Sequence, residues 1–504
     1  MTNKRYLALA TAAALTLTSA CSQGQAPAPA NEGKAGEPAS APNISIMTVL
    51  HSPEVPSDAI EKLLEEKTGT QLEIQWVPDG TYNEKLNASF ATGTLPQVVY
   101  AQISNFREAI LDGQFWEVGP YLKDYPNLKN LNPDVLRNTS VNGKIYSLYQ
   151  ESPISRQGVL YRKDWADSLG LKAPTSLEEL YMMAKQFTEN DPDKNGVNDT
   201  IGLTDRNDFQ YGAFKTLASY HGTPNNWGMK DGKLAPDFMF PEYIDTMKFI
   251  QKLHKEGLMN KDFPVTSKTD QQNLLISGKA GMYIGSMQDV VGLQDKLAAQ
   301  NPKAQLDIQN RIKGPKDLGI WALPGYGAVV LFPKTSVKTE QELKSILSFY
   351  DKLMSPEIAN LMNFGVENKH YKSAEGGKVS RVDDSKLIER ELKPYFSLRI
   401  GGPNTINMLQ QFYSKPIQAK AESLVKDNES FLIHDPTAPL FSMTYATKGA
   451  QLQEIIKDAT YKFMLGDINE AGYQQQIERW LNEGGQQIID EYNESYLQSQ
   501  SAPK

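Results

Sequence analysis

The sequence predicts an α/β protein of two lobes with a helical C-terminal part, and three observations carry that prediction. From residue 43 onward, short apolar runs of strand length alternate with amphipathic stretches of helical period. After a break the same alternation resumes near residue 158. The 504 residues are enough for more than one hydrophobic core, with 40% hydrophobic and 22% charged residues. No repeat of 20–50 residues interrupts the pattern.

The elements follow in chain order. Residues 44–50 (ISIMTVL) form a first strand. Ser57 reads as the cap of a helix reaching Lys67, with Ile60, Leu63 and Leu64 on one face. Residues 71–77 (QLEIQWV) are a second strand, residues 82–91 a helix and residues 97–101 (QVVYA) a third strand. Strands separated by helices pair in parallel, because a crossover helix returns the chain to the same sheet end. In the second block, residues 158–161 are a strand, and Asp164 opens a helix that Gly170 can end. Ser176 and Glu179 form a capping box, with Leu177, Leu180, Ala184 and Phe187 on the buried side. Residues 201–203 and 280–284 are further short strands. Thr339 and Glu342 form a second box ahead of Leu343, Ile346, Leu347 and Tyr350. From about residue 436 the pattern is mainly helical.

The N-terminus is different. Lys4 and Arg5 precede twelve uncharged apolar residues, 6–17 (YLALATAAALTL), too few to span a bilayer but right for a signal-peptide core. Small residues lead to Cys21, the one cysteine of the chain. TSA-C has the form of a lipobox, after which the cysteine becomes the mature N-terminus and carries diacylglycerol and a palmitate-type acyl chain. Several chains anchor stably where one binds only marginally. Residues 22–42 are rich in Ala, Pro, Gly and Ser and read as a flexible tether. The expected location is the extracellular face of the cell membrane, lipid-anchored.

The single cysteine excludes a disulfide scaffold and thiolate metal sites. A formal charge of −8 argues against broad nucleic-acid binding.

Residues 76–99 (WVPDGTYNEKLNASFATGTLPQVV), 142–150 (NGKIYSLYQ), 158–180 (GVLYRKDWADSLGLKAPTSLEEL), 191–204 (DPDKNGVNDTIGLT), 364–371 (FGVENKHY) and 480–496 (WLNEGGQQIIDEYNESY) resemble, in order and spacing, the extracellular solute-binding lipoproteins of ABC importers. The likeness is to family 1, the LplA-like branch, which is also similar to alginate-binding proteins. Tyr149 departs from it, standing where that family's strand is expected to carry proline. The resemblance implies a type II periplasmic-binding-protein-like fold with a hinge of crossing strands. It places the crossings near residues 151–157, near 324–330 and once more later. It implies one lobe from residues 43–153 plus about 328–370, and a second from about 154–327 plus about 371–504. It also implies an oligosaccharide ligand, a monomer, and delivery to ABC permease subunits served by a separate ATPase.

Residues 191–200 (DPDKNGVNDT) carry D-x-D-x-N-G-x-x-D spacing. Alternating oxygen donors around a glycine suit Ca²⁺, which takes several carboxylate and carbonyl oxygens. The donors are the side chains of Asp191, Asp193, Asn195 and Asp199 and the carbonyl of Val197, with a structural role for the ion. The EF-hand's glutamate at the twelfth place is absent, since Gly202 stands there. Thr200 occupies the place where the alginate-binding relatives would carry a glutamate, and water or Thr200 itself is the replacement. The alternative is a metal-free Asp/Asn/Gly turn.

Sugar sites combine aromatic platforms with planar hydrogen-bonding groups, and α/β lobes bind at the carboxyl ends of strands. Those positions are His51, Gln102 and Asn105 in the first lobe and Glu151 and Arg156 at the first crossing. In the second lobe they are Asp205, Arg206 and Ser286. Trp227 is the favoured stacking platform, and Trp321 and Tyr326 flank the second crossing. Trp116, Trp165 and Trp480 read as core. The five histidines are well separated, and no nucleophile elbow, zinc-protease helix, Walker A or kinase set occurs. The expected function is therefore capture without catalysis. The rival is a surface-tethered polysaccharide hydrolase or lyase using a carboxylate pair, and a minor third class is a surface adhesin.

Overall fold

A computed structural model describes residues 41–52, 54–403 and 405–501. The segment before residue 41, with Cys21 and the tether expected there, lies outside the described residues, and the body begins at Pro42.

The first sheet is built from β1 (Asn43–Leu50), β2 (Gln71–Pro78), β3 (Val98–Ala101), β4 (Ser147–Glu151) and, much later, β12 (Tyr326–Leu331), in the order β2-β1-β3-β12-β4. β1 runs parallel to β2 and β3, whereas β12 is antiparallel to β3 and β4. Parallel strands covered on both faces read as nearly continuous apolar runs, and Ile44, Ile46 and Met47 of β1 are all buried. The helices Ala59–Thr68 and Asp79–Ala91 supply the crossovers. Ser57 does not cap the first of these. The helix begins at Ala59 without a side-chain cap, and the Ser57 carbonyl instead accepts the Tyr395 hydroxyl at 2.9 Å.

The second sheet contains β5 (Gln157–Arg162), β6 (Ile201–Thr204), β9 (Ala280–Ser286) and β10 (Leu306–Gln309), ordered β10-β5-β9-β6. Between β6 and β9 lies the hairpin β7 (Trp227–Lys230) and β8 (Lys233–Pro236). Ser176 accepts the Glu179 amide at 3.2 Å, while the Glu179 carboxylate accepts the Thr175 amide at 2.7 Å, so the box closes one residue earlier than the standard form. Helix Leu177–Glu189 then packs on β6 at Gly202. A Cβ there would meet the Ala184 carbonyl oxygen at 2.2 Å, so only glycine permits the approach. The second box holds as well, Thr339 accepting the Glu342 amide at 3.2 Å.

Two cores result. The first joins Ile46, Val99, Leu148 and Val330 to the helix Glu340–Leu353. It also takes in Tyr395, Leu398, Ile400 and Ile406. The stretch 395–406 therefore packs with the first lobe, and not with the second as its place after residue 371 suggested. It does so because its apolar side chains close the open face of β1 and β4, where the Ser397 carbonyl accepts the Thr48 hydroxyl at 3.4 Å and the Gln150 amide at 2.5 Å. The second core joins Val159, Leu203, Leu217 and Met282 to the C-terminal helices Met443–Leu465 and Glu470–Trp480. Trp165 and Trp480 are buried in it.

Two segments linking the lobes are bonded to each other. Residues 152–156 carry β4 into β5, and residues 322–325 carry β11 (Ile320–Trp321) into β12. The Ser152 amide donates to the Gly325 carbonyl at 2.9 Å, and the Leu323 amide to the Ile154 carbonyl at 2.6 Å. Residues 326–331 are wholly strand of the first sheet, so the second crossing lies just ahead of the expected 324–330. Tyr149 fills the position expected to hold proline. Its ring is buried, and its hydroxyl accepts the Asn132 amide at 2.8 Å.

Candidate functional site between the lobes

A cavity of about 770 Å³ opens between the lobes, a size suited to a small-molecule ligand. The first lobe contributes Ser104 and Arg107. The second contributes Phe209 and Lys215 around the helix Ala213–His221, Trp227 and Asp237 beside the β7–β8 hairpin, and Asp435, Phe441, Tyr445 and Tyr492 from the C-terminal part.

Arg107 follows a short 3₁₀ turn, residues Ile103–Phe106, that leaves β3 at its carboxyl end. Its Cζ lies 5.7 Å from the Phe441 ring centroid. One guanidinium nitrogen, Nη1, is buried without a hydrogen-bond partner, and no carboxylate pairs with the group among the described residues. Burial holds its pKa below the ordinary arginine value, with the phenols of Tyr326 and Tyr492 opposing. With Thr223 Oγ1 and Asn225 Oδ1, which are also buried without a partner in the cavity wall, Arg107 leaves hydrogen-bonding capacity for a ligand.

Across the cavity Lys215, Asn226, Asp435 and Thr437 form a chain. Lys215 Nζ donates to Asn226 Oδ1, Asn226 Nδ2 donates to Asp435 Oδ2 at 2.7 Å, and Thr437 donates its hydroxyl to Asp435 Oδ1 at 2.7 Å. Burial lowers the Lys215 ammonium, and Asp237 and Asp435 oppose that. Burial raises the Asp237 carboxyl to about 7, against the pull of Lys215. Asn225 ties the same loop to the second crossing and to residue 433, donating to the Ala322 carbonyl at 2.7 Å and the Ile433 carbonyl at 3.0 Å. The loop that shapes the cavity is therefore tied directly to the crossing segment.

Of the expected ligand contacts, Trp227 and Trp321 line this cavity. Trp227 is 7% exposed and meets Tyr492 edge-on, centroids 4.9 Å apart, so it forms a wall more than an open platform. Trp321 is 2% exposed and donates to Thr216 Oγ1 at 3.1 Å, which makes it part of the core beneath the cavity. Tyr326 stands beside Arg107, its phenol raised by burial. Arg156 sits at the first crossing with its Cζ 6.0 Å from the Tyr211 centroid and its Nε buried without a partner. His51, Gln102 and Asn105 are exposed where β1 and β3 end. His51 Nδ1 is 3.8 Å from Asp79, and Gln102 donates to the Gly327 carbonyl at 2.6 Å. Asn105 accepts from Ser104 at 3.4 Å. Glu151 packs against Gly402 and Thr405, and Ser286 pairs with Gln157 at the end of β9.

Asp205 and Arg206 are spent inside the second lobe. Asp205 accepts the Ala213 amide at 2.9 Å, and burial raises its carboxyl to about 6. Arg206 donates to Gln271 at 2.9 Å, Asp208 at 3.0 Å and the Tyr211 carbonyl at 2.6 Å. Their strand-end position suggested ligand contacts, but the loop folds back and satisfies them.

The loop at residues 191–200 wraps around its own donors. The Asp191 carboxylate accepts the amides of Asn195 at 3.1 Å and Gly196 at 2.9 Å. Asn195 Nδ2 lies 3.0 Å from Asp193 and 3.2 Å from Asp199. Burial raises the Asp193 carboxyl, and the neighbouring Asp191 and Asp199 raise it further. Crowded acids of this kind are the complement of a hard cation. Among the described residues no three His, Cys, Asp or Glu side chains already converge on one point. A bound ion would therefore also draw in Asn195 and the Val197 carbonyl. Thr200 fits no such role, because it is buried and donates its hydroxyl to the Phe187 carbonyl at 2.7 Å.

The model of the family described as bacterial extracellular solute-binding protein matches residues 53–359. The polygalacturonan/rhamnogalacturonan-binding protein YtcQ of Bacillus subtilis is 45% identical, over 93% of this chain and 94% of its own length. Lipoprotein LipO of the same organism is 36% identical, over 91% and 93%. Among solved structures, an HMO-binding, ABC-transporter-associated solute-binding protein from Bifidobacterium longum infantis superposes with a TM-score of 0.70 at 17% identity, covering 91% of this chain and 99% of that one. That last likeness shows the fold, a two-lobed type II periplasmic-binding architecture. The two crossings and the cavity between the lobes are what this architecture produces, and the chain belongs to the bacterial extracellular solute-binding protein family.

Proposed function

We propose that this chain captures an oligosaccharide in the cavity between its lobes and hands it to an ABC permease powered by a separate ATPase. The observation that carries this is the cavity itself, walled by Trp227, Phe441 and Tyr492 and holding the unpaired Arg107. Aromatic faces suit sugar C–H surfaces, and a buried guanidinium supplies directional donors. A ligand touching both Arg107 and Lys215 binds the closed arrangement better than the open one, and that difference drives closure. Relatives named for polygalacturonan and for fructooligosaccharide support a glycan ligand. The chain acts as a monomer and does no chemistry on its ligand.

Cys21 carries the lipid anchor and the tether holds the body off the outer face of the membrane, a reading supported by the lipoprotein relative. A Cys21→Ala change then moves the protein from the membrane fraction into the medium. Ca²⁺ is held by Asp191, Asp193, Asn195, the Val197 carbonyl and Asp199, and fixes the loop between helix Leu177–Glu189 and β6.

One observation favours the rival hydrolase or lyase: Asp237, in the cavity with its carboxyl near 7, has the proton a general acid needs. Calorimetry with a panel of oligosaccharides and analysis of the recovered sugar separates the readings. Saturable binding with intact sugar supports capture, and released fragments refute it.

A further inference from the structure

We infer that the loop between helix Ala213–His221 and β7 is the part of the cavity that reads the ligand's hydroxyl groups. Asn225 Oδ1 takes a hydroxyl proton there, and Thr223 Oγ1 bonds a ligand oxygen. The inference rests on the glycan-capture reading and names the chemistry this wall accepts.

Both residues line the cavity, and each is only 2% exposed. Their side-chain oxygens are buried without a protein partner. Buried polar groups nearly always find one, so two orphans in one short loop need a reason. For Thr223 the backbone supplies it. The helix closes at Gly222, which has φ +87. The Gly222 amide donates to the Ser219 carbonyl at 3.0 Å, and the Thr223 amide donates to the Ala218 carbonyl at 2.9 Å. These two bonds are a Schellman closure. They satisfy the Thr223 amide and fix its position, and they leave the hydroxyl without a task in the chain.

The Asn225 side chain has a fixed sense. Nδ2 donates to the Ala322 carbonyl at 2.7 Å and to the Ile433 carbonyl at 3.0 Å. Both partners are carbonyl oxygens, so only the nitrogen can face them, and the amide cannot flip. Oδ1 is therefore an acceptor whose donor is missing. The Asn225 carbonyl accepts the Trp227 amide at 2.7 Å, which pins the backbone as well. An acceptor held this way loses little freedom when a ligand arrives. Since Ala322 belongs to the second crossing, the acceptor is also fixed relative to that crossing.

One class of ligand group completes the wall. A hydroxyl has a proton to give to Asn225 Oδ1 and can accept from Thr223. A carboxylate oxygen or a glycosidic linkage oxygen has no proton. Placed against Oδ1, it would leave two acceptors facing each other and Oδ1 still unpaired. A site whose buried polar groups need a ligand hydroxyl rejects a ligand that lacks it, because those groups are then left without a partner. This loop therefore admits a ring edge with free hydroxyls and excludes a carboxylate or a linkage oxygen.

The test begins with calorimetry of the full chain with trigalacturonate, kestose and galactotriose, and the tightest of the three is the probe. Thr223→Val keeps the side-chain shape and removes the hydroxyl. It weakens the probe about 3–10-fold. Its melting temperature without ligand stays level or rises, because the lost hydroxyl bonds nothing in the free protein. Thr223→Ser restores most of the affinity. Should Thr223→Val fail to fold, Thr223→Ala carries the same expectations. A crystal structure of the full chain with the probe shows ligand hydroxyl oxygens within about 3.2 Å of Asn225 Oδ1 and Thr223 Oγ1. Three results overturn the inference and leave capture standing: unchanged affinity in the Thr223 variants, a lower ligand-free melting temperature with no loss of affinity, or a complex in which anything but a ligand hydroxyl meets Asn225 Oδ1. Binding of none of the three sugars overturns the capture reading, and the inference with it.

Discussion

The Arg107 guanidinium of the first lobe lies over the Phe441 ring of the second, 5.7 Å from its centroid, across the cavity that both lobes wall. The residue is half-buried and its Nη1 is a buried donor with no protein partner, so the contact is a place for a ligand to complete.

Arg107→Ala should therefore weaken ligand binding. Loss of charge-assisted hydrogen bonds worth about 1.5–3 kcal/mol lowers affinity about 10–100-fold. The melting temperature without ligand should stay level or rise, because an uncompensated buried charge is gone. Calorimetry and thermal melts check the two halves.

Gly325 has φ +84, and a Cβ there would meet Val135 Cγ2 at 2.7 Å. Gly325→Val should destabilise the chain by about 1–3 kcal/mol through backbone strain, visible as a lower denaturation midpoint. It should also weaken ligand binding, since the same turn carries the Ser152–Gly325 bond between the crossings.

Asp237 gives a pH dependence of definite sign. Its folded pKa, about 7, lies above the ordinary aspartate value of 3.8. The folded chain therefore binds the extra proton between those values, and its stability is largest below about pH 4 for this group and falls as pH rises through 7. Asp205, raised to about 6, contributes with the same sign. Asp237→Asn should flatten the loss of melting temperature between pH 5 and about pH 8, and an unchanged slope would remove Asp237 as its source.

Calcium should raise the melting temperature and a chelator lower it, by several degrees when the free ion exceeds its Kd about a hundredfold. Asp193→Asn should abolish the shift. No shift on chelation, with no calcium found by metal analysis, would return the loop to a plain turn.

Much of the fold was legible because β1 is a mostly apolar run, β2 alternates with period two, β3 is short but wholly apolar, and the boxes at Ser176 and Thr339 obey local rules. The pairing of β12 between β3 and β4 was not, since it depends on the chain returning from the other lobe. The return of Tyr395, Leu398 and Ile400 to the first core failed for the same reason. Trp227, singled out from its place in the loop 223–228, lies in the cavity wall. Arg107, Lys215, Asp237, Asp435 and Phe441 form no local motif and meet only after folding, so nothing in their spacing announced them. Asp205 and Arg206 stood at a strand end that usually faces ligand, but the Ala213 amide holds the Asp205 carboxylate and Asp208 and Gln271 hold Arg206.

The central claim is capture without chemistry between the lobes, and titration calorimetry of the full chain and Arg107→Ala with oligosaccharides, followed by analysis of the recovered sugar, tests it most directly. The account predicts saturable one-to-one binding by the unaltered chain, about 10–100-fold weaker binding by the variant, and sugar recovered intact. Binding of no glycan, equal affinity in the variant, or sugar returned as fragments would contradict it.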